Sequence, residues 1–477
     1  MSGELADMSL TAVAKLIRRG RASALEVTDA CLRKIEAWQP RVNAFLEVEG
    51  EAARKAARSR DRELRRGEVR GPLHGVPLAH KDVFYREGRI CSAGSKIRAG
   101  WVAGYTATVI DRLENAGAIC LGRLGMAEFA ADPTGHNAHY GACRNPWNTD
   151  YIPGASSSGA GAAVAARLVY GALGSDTGGS IRLPAAACGV VGLMPTQGRV
   201  SRHGATPRAW SLDRIGPMAR SVADCALLLQ TIAGHDPRDG MTADTPVPNY
   251  VGAMKKAPRG RTVGIPEDSF FQECDSDIRR ALDDSVAVFR AAGMKTKRVP
   301  APDSLTLFQL NDLVMKCEAA TIHGNWLRER PEDYAPYLRA RLEGGLLVPA
   351  TQYIVALSLR STLLSAFLDT TLKNVDALHF PVIAQKLPTL AQTELDADRP
   401  ETLARAACLS IFTRLFNYLG VPAMSVPCGF DCNGLPIGFQ LVGRPFDEGL
   451  LLALGHAYQR ATGWHETAPA VSADSAL

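Results

Sequence analysis

Apolar residues recur at helical spacing near the start of the chain. Leu10, Val13, Leu16 and Ile17 share one face behind Ser9, and Gly20 follows them. This predicts a helix with a signal at each end. Ser23 and Glu26 form a capping box ahead of Leu25, Val27, Ala30, Cys31, Ile35 and Trp38, and Pro40 is expected to stop that second helix. Residues 51–66 are rich in Ala, Arg and Glu and read as an exposed helix. Its arginines are balanced by Glu51, Asp61 and Glu63, which reads as a solvated face rather than a nucleic-acid patch.

The pattern then shortens. Residues 71–83 form a Gly/Pro turn followed by a short apolar strand ending near Lys81. Helix is expected over 108–116, strand over 117–121, and the start of another helix over 126–131. A long polar loop with aromatic residues occupies 132–153, and loops of that length tend to carry function. Further on, strand–helix–strand order recurs over 262–266, 278–292 and 294–299. Additional strands fall at 375–382 and 436–442, and helices at 181–191, 222–232 and 449–462. Residues 234–261 are rich in Pro, Gly and charge and read as a linker. Such alternation predicts a parallel or mixed sheet with helices on both faces.

Two Gly/Ser clusters flank one run of small apolar residues. The first is Gly154-Ala-Ser156-Ser157-Ser158-Gly159, and Ala160 to Ala166 follow it. The second is Gly174-Ser-Asp176-Thr177-Gly178-Gly179-Ser180-Ile-Arg182. A glycine loop feeding a helix N-terminus presents free N–H groups to negative charge. Gly178 and Gly179 leave the N–H groups around Ser180 open, as an oxyanion site requires. Common motifs fail here. Ala160 stands where a phosphate loop needs Lys, Val164 where a dinucleotide fingerprint needs its third Gly, and Arg182 where a hydrolase elbow needs Gly. Asp176-Thr177-Gly178 has no second copy with which to share a proton.

Composition adds few constraints. The chain has 477 residues, 46% hydrophobic and 22% charged, which suits a globular protein with a large core. A net charge of +5 gives no argument for nucleic acid or anionic membranes. Eleven scattered cysteines read as reduced intracellular thiols. His136 and His139 are weak metal candidates, and no metal or cofactor is expected. Glu4 and Asp7 argue against a signal peptide, and no apolar run spans a membrane. A cytoplasmic protein is expected.

The two clusters together resemble the signature of the amidase signature family, a Gly/Ser loop, a helix and then Gly-x-Asp-x-Gly-Gly-Ser-x-Arg. The element His74-Gly-Val-Pro-Leu-Ala-His-Lys81-Asp82 is similar to that family's upstream Lys element, and the spacings suit it. The resemblance is strong over 70–245, general over 262–300 and 375–466, and slight over 303–372. It implies an α/β fold, one large α/β/α domain with a mixed central sheet over 67–470. A helical segment, 1–66, would pack on the outside, and 303–372 would form a variable pocket region.

The same resemblance implies Ser180 as nucleophile, Ser156 as bridging serine after a cis peptide bond, and Lys81 as base. Thr177, Gly178 and Gly179 would hold the oxyanion. Ser157 would orient Ser156 or the lysine, or cap the helix, and Asp176 and Arg182 would pair to brace the loop. Two positions depart from the family pattern: Ala155 stands where Gly is usual, and Met194 where Lys is common. The implied activity is hydrolysis of the C–N bond of amides, carbamates included, through a serine acyl-enzyme. The alternative is the glutaminase subunit of a tRNA-dependent amidotransferase, and a non-catalytic binding protein on the same scaffold is a third reading. The expected partner is a small-molecule amide or carbamate, with no nucleic acid, no membrane and a homodimer as the assembly. Leu346, Leu347, Val348, Tyr334, Tyr337 and Tyr353 are candidates for an apolar pocket.

Overall fold

A computed structural model describes residues 2–267, 274–394 and 400–470. One sheet of eleven strands runs through it. In chain order the strands are β1 (Phe45–Val48), β2 (Pro77–Lys81), β3 (Ile119–Leu124), β4 (Gly171–Asp176), β5 (Val191–Met194) and β6 (Arg214–Ala219). They continue with β7 (Thr262–Pro266), β8 (Lys295–Val299), β9 (Ala377–Pro381), β10 (Ala423–Phe430) and β11 (Pro436–Val442). Their spatial order is β1-β3-β2-β4-β6-β5-β10-β11-β9-β7-β8. The sheet is mixed. β2 runs parallel to β3 and β4, β7 runs parallel to β8 and β9, and β5, β6, β10 and β11 are joined by antiparallel pairing. The fold class is therefore the expected one, a mixed sheet with helices packed on it.

Local signals placed most elements. Ser9 caps the helix Leu10–Arg18, and the Ser23–Glu26 box caps Ala24–Val42 with both of its reciprocal hydrogen bonds. That second helix does not stop at Pro40. It carries the proline in its last turn and ends at Asn43 in the left-handed region. Pro40 costs the helix one N–H bond, and only two helical residues follow it.

Three expectations are corrected. The helix begun at 126–131 is only a 3-10 turn, Glu128–Ala130, interrupted by Phe129 at φ 44. Residues 234–261 do not form a free linker. Asp236 accepts from Thr108 and Ser201, and the fully buried Tyr250 donates its hydroxyl to Glu448 at 3.3 Å. Leu346 and Leu347, offered as apolar pocket residues, are instead exposed, at 58% and 84%. Strands β1, β5 and β6 carried no clear periodic signal. β5 and β6 are buried along their whole lengths, so neither alternates apolar with polar.

The all-buried helix Ser158–Ala165 lies against the sheet beneath the first Gly/Ser cluster. Small residues let it approach closely. A Cβ on Gly159 would sit 2.3 Å from Ala44 O and 2.6 Å from Gly125 N. Those are backbone atoms that cannot rotate away. Gly159→Ala is therefore expected to lower stability by about 1–3 kcal/mol. The readout is a fall in urea midpoint at unchanged slope.

Candidate active site

Lys81 ends β2 and is fully buried, at 1% exposure. Its Nζ donates to Ser156 Oγ at 2.7 Å and to Ser175 Oγ at 3.0 Å. β2 and β4 run parallel with Ala79 opposite Ala172 and His80 opposite Leu173, and this register brings the end of one strand beside Ser175 on the other. Burial drives the Lys81 pKa down to about 7, against the raising pull of Asp176 and Asp213.

Ser156 follows a cis peptide bond from Ala155, and both residues are fully buried. The Ala155 N–H donates to Pro133 O at 2.8 Å, and the Ser157 N–H donates to Ser180 O at 3.2 Å. The two Gly/Ser clusters are thus joined through the backbone. Ser157 precedes the helix but makes no side-chain cap. Its hydroxyl donates to Ser175 O at 3.2 Å, bracing the strand residue that also meets Lys81. Met194 is buried on β5, where an apolar side chain is well accommodated.

The loop from Asp176 to Ser180 is held from several sides. Thr177 Oγ1 donates to Asp213 Oδ1 at 2.6 Å, Asn311 Nδ2 to Thr177 O at 3.4 Å, and Thr413 Oγ1 to Gly178 O at 2.7 Å. Gly179 adopts φ +129, and a Cβ there would fall 2.3 Å from Thr413 Oγ1. One donor expected at an oxyanion is otherwise engaged. The Gly179 N–H points at Asp176 Oδ1, 2.7 Å away, because the carboxylate lies under the turn and gathers its N–H groups. Of the expected set, this leaves the N–H groups of Thr177 and Gly178. Ser180 itself is half-buried.

Asp176 and Arg182 pair as expected, through Nε at 3.1 Å with both side chains fully buried. Burial alone would raise the Asp176 pKa. The Arg182 guanidinium, the Asn417 amide and the Ile181 N–H reverse this and hold it below the usual carboxylate value. Arg182 also donates to Gln440 Oε1 at 2.9 Å, Thr413 O at 3.0 Å and Asn417 Oδ1 at 2.6 Å.

Sequence reasoning missed Ser175, Asp213, Thr413 and Asn417. Ser175 stands inside a cluster already singled out, and only strand register puts it on Lys81. The other three come from segments with no motif of their own. No group of three side chains suited to a metal occurs among the described residues, and His139 Nε2 lies instead 3.0 Å from Glu128. No single described helix is long and apolar enough to cross a membrane.

Known proteins match this chain along nearly its whole length. A family model described as Amidase matches residues 26–452. A protein named as a subunit of glutamyl-tRNA(Gln) amidotransferase, from Chloroflexus aggregans (strain MD-66 / DSM 9485), is 40% identical, over 98% of this chain and 99% of that protein. Two solved structures superpose closely. One, described under an unexpected vestigial protein complex and the origins of an s-triazine catabolic enzyme, is 34% identical with a TM-score of 0.86. It covers 95% of this chain and 98% of its own. The other, described as an amidase, is 33% identical with a TM-score of 0.84, over 96% of this chain and 100% of its own.

One expectation is overturned. A partner set limited to a small molecule, without nucleic acid, does not agree with a relative named for its part in an enzyme for glutamyl-tRNA(Gln). Motif residues could not register this, because they describe a local centre and not the surface that meets a partner.

The Asp176–Arg182 pair makes a clear prediction. Arg182→Ala leaves a buried carboxylate without its cation, which is expected to lower stability by about 3–5 kcal/mol. Chemical denaturation of the purified variant measures it.

Proposed function

The chain belongs to the amidase family, and on that premise we propose that it cleaves amide C–N bonds through an acyl-enzyme on Ser180. The observation that carries the reading is the buried Lys81, hydrogen-bonded to Ser156 and drawn by burial to a pKa of about 7. A serine hydroxyl is a weak nucleophile and needs a base. A neutral amine has two N–H groups and one lone pair. With one N–H on Ser175, the lone pair is free to accept from Ser156. Ser156 passes its proton to Lys81 as it takes one from Ser180, and the Ser180 Oγ–carbon bond forms. The N–H groups of Thr177 and Gly178 hold the oxyanion. The proton returns through Ser156 to the leaving nitrogen, the C–N bond breaks, and water then cleaves the ester.

The role that the relatives favour is the amide-hydrolysing component of an amidotransferase, with glutamine as the amide and ammonia as the leaving group. What supports it is identity of 40% spread over the whole chain to a protein of that name. A second reading, an amidase acting on another small amide or a carbamate, is favoured by the solved amidase at 33% identity. Ammonia release from L-glutamine, compared with turnover of an aryl anilide and a carbamate, separates the two. Preference for glutamine favours the amidotransferase role, and preference for either of the others favours the amidase.

Ser180→Ala and Lys81→Ala are each expected to reduce kcat by about 10²–10⁴-fold or more, as for loss of a nucleophile or a general base. A Ser180→Ala protein that keeps its turnover overturns the mechanism. The base must be neutral to act, so kcat/KM of the wild type is expected to fall as pH drops through about 7, where Lys81 takes up its proton. A profile flat from pH 6 to 8, the interval about one unit either side of that value, removes Lys81 as the base.

A further inference from the structure

Arg208 is a buried cation without a counter-ion. Its side chain lies at 3% exposure, and Nε and Nη1 meet no hydrogen-bond acceptor. Among the described residues its hydrogen bonding is confined to the backbone N–H, which donates to Asp213 Oδ2 at 2.8 Å. Neighbouring arginines are different. Arg414 meets Asp312 at 2.6 Å, and Arg341 meets the same carboxylate at 3.1 Å and the Tyr337 hydroxyl at 2.8 Å. The nearby anions are already committed. Asp312 serves Arg414, Arg341 and Lys316, while Asp213 accepts from Thr177 and from the N–H groups of Arg208 and Ala209. Burial, with Arg341 adding to it, lowers the Arg208 pKa to about 9, so the group remains charged at neutral pH.

A desolvated charge with no partner is costly, and its retention calls for a reason such as an ion or ligand that completes it. Arg208 lines a cavity of about 230 Å³ together with Ser175 and Asp213. Ser175 is the second hydroxyl on Lys81, and Asp213 holds Thr177. The cavity therefore adjoins the proposed chemistry. Its other arginines are paired, Arg202 with Asp239 at 2.7 Å and Arg238 with Asp236 at 3.0 Å. The carboxylates of Asp213 and Asp239 in the lining disfavour a dianion. One unpaired guanidinium suits one monoanion, and a carboxylate matches its planar donors.

We propose that Arg208 forms an anion subsite that receives a carboxylate carried by the amide substrate. This rests on the acyl-enzyme reading and narrows its substrates to amides that bear a free acid, such as glutamine or the monoamide of a dicarboxylic acid. Arg208 is then a specificity residue that holds the acid while Ser180 meets the carbonyl.

Binding tests it without turnover. Calorimetry on the full chain carrying Ser180→Ala compares succinamate, glutaramate and L-glutamine with their methyl esters. At least one free acid is expected to bind about tenfold tighter than its ester or more, the value of a hydrogen bond to a charged group. Arg208→Met is expected to abolish that ratio and Arg208→Lys to retain part of it. Equal affinity for acid and ester throughout, absence of binding included, overturns the proposal, as does a ratio that survives Arg208→Met. Removing an unpaired buried charge is also expected to leave the melting temperature of Arg208→Met unchanged or raised. A lower melting temperature marks Arg208 as structural and counts against the subsite. Labelling of Ser180 in the wild type by a fluorophosphonate reports separately on the acyl-enzyme reading. Failure there removes the chemistry, while the acid-to-ester ratio still decides the subsite.

Discussion

The Asp176–Arg182 pair is the interaction on which the site depends. Both side chains are fully out of water, so neither charge is tolerable without the other. The carboxylate also gathers the N–H groups of Gly179, Ile181 and Arg182, which shapes the turn that presents Ser180. The guanidinium reaches outward to Gln440, Thr413 and Asn417. One ion pair therefore ties the Gly/Ser turn to elements more than two hundred residues further along the chain. This network takes up much of the loop's buried hydrogen-bonding capacity and so holds its conformation.

Lys81 sits in a different balance. Its burial penalises the ammonium, and the carboxylates of Asp176 and Asp213 partly restore it. The outcome lies near neutrality, where an amine can both hold and release a proton. Asp213 also holds Thr177 through its hydroxyl. Two residues that shape the turn thus also moderate the effect of burial on the lysine. Among the described residues the Arg208 side chain meets no hydrogen-bonding anion, and it lines the same cavity as Ser175.

Much of the architecture was legible because it rests on local rules. Capping residues and apolar periodicity located the helices Leu10–Arg18, Ala24–Val42, Thr108–Asn115 and Val222–Ile232. The strand ending at Lys81 followed from a short apolar run behind a turn. Strands β5 and β6 were not legible, since β5 is only the four residues Val191–Met194 and β6 carries Gly216 and Pro217 at its centre. Residues 234–261 looked like a linker because polar side chains were counted as solvated. Asp236 is instead held in the body of the fold by Thr108 and Ser201.

By itself the sequence determined the mixed α/β class, through the alternation of its elements, and the Gly/Ser pattern whose resemblance to a family implied the candidates Lys81, Ser156 and Ser180. Tertiary structure alone decided which groups face them. Strand register brought Ser175 to Lys81, and the turn over Asp176 claimed the Gly179 N–H. Folding also gave Arg414 and Arg341 an anion in Asp312 while leaving Arg208 without one. The reason is physical: electrostatic pairing and desolvation act through space, and a linear pattern records neither distance nor burial.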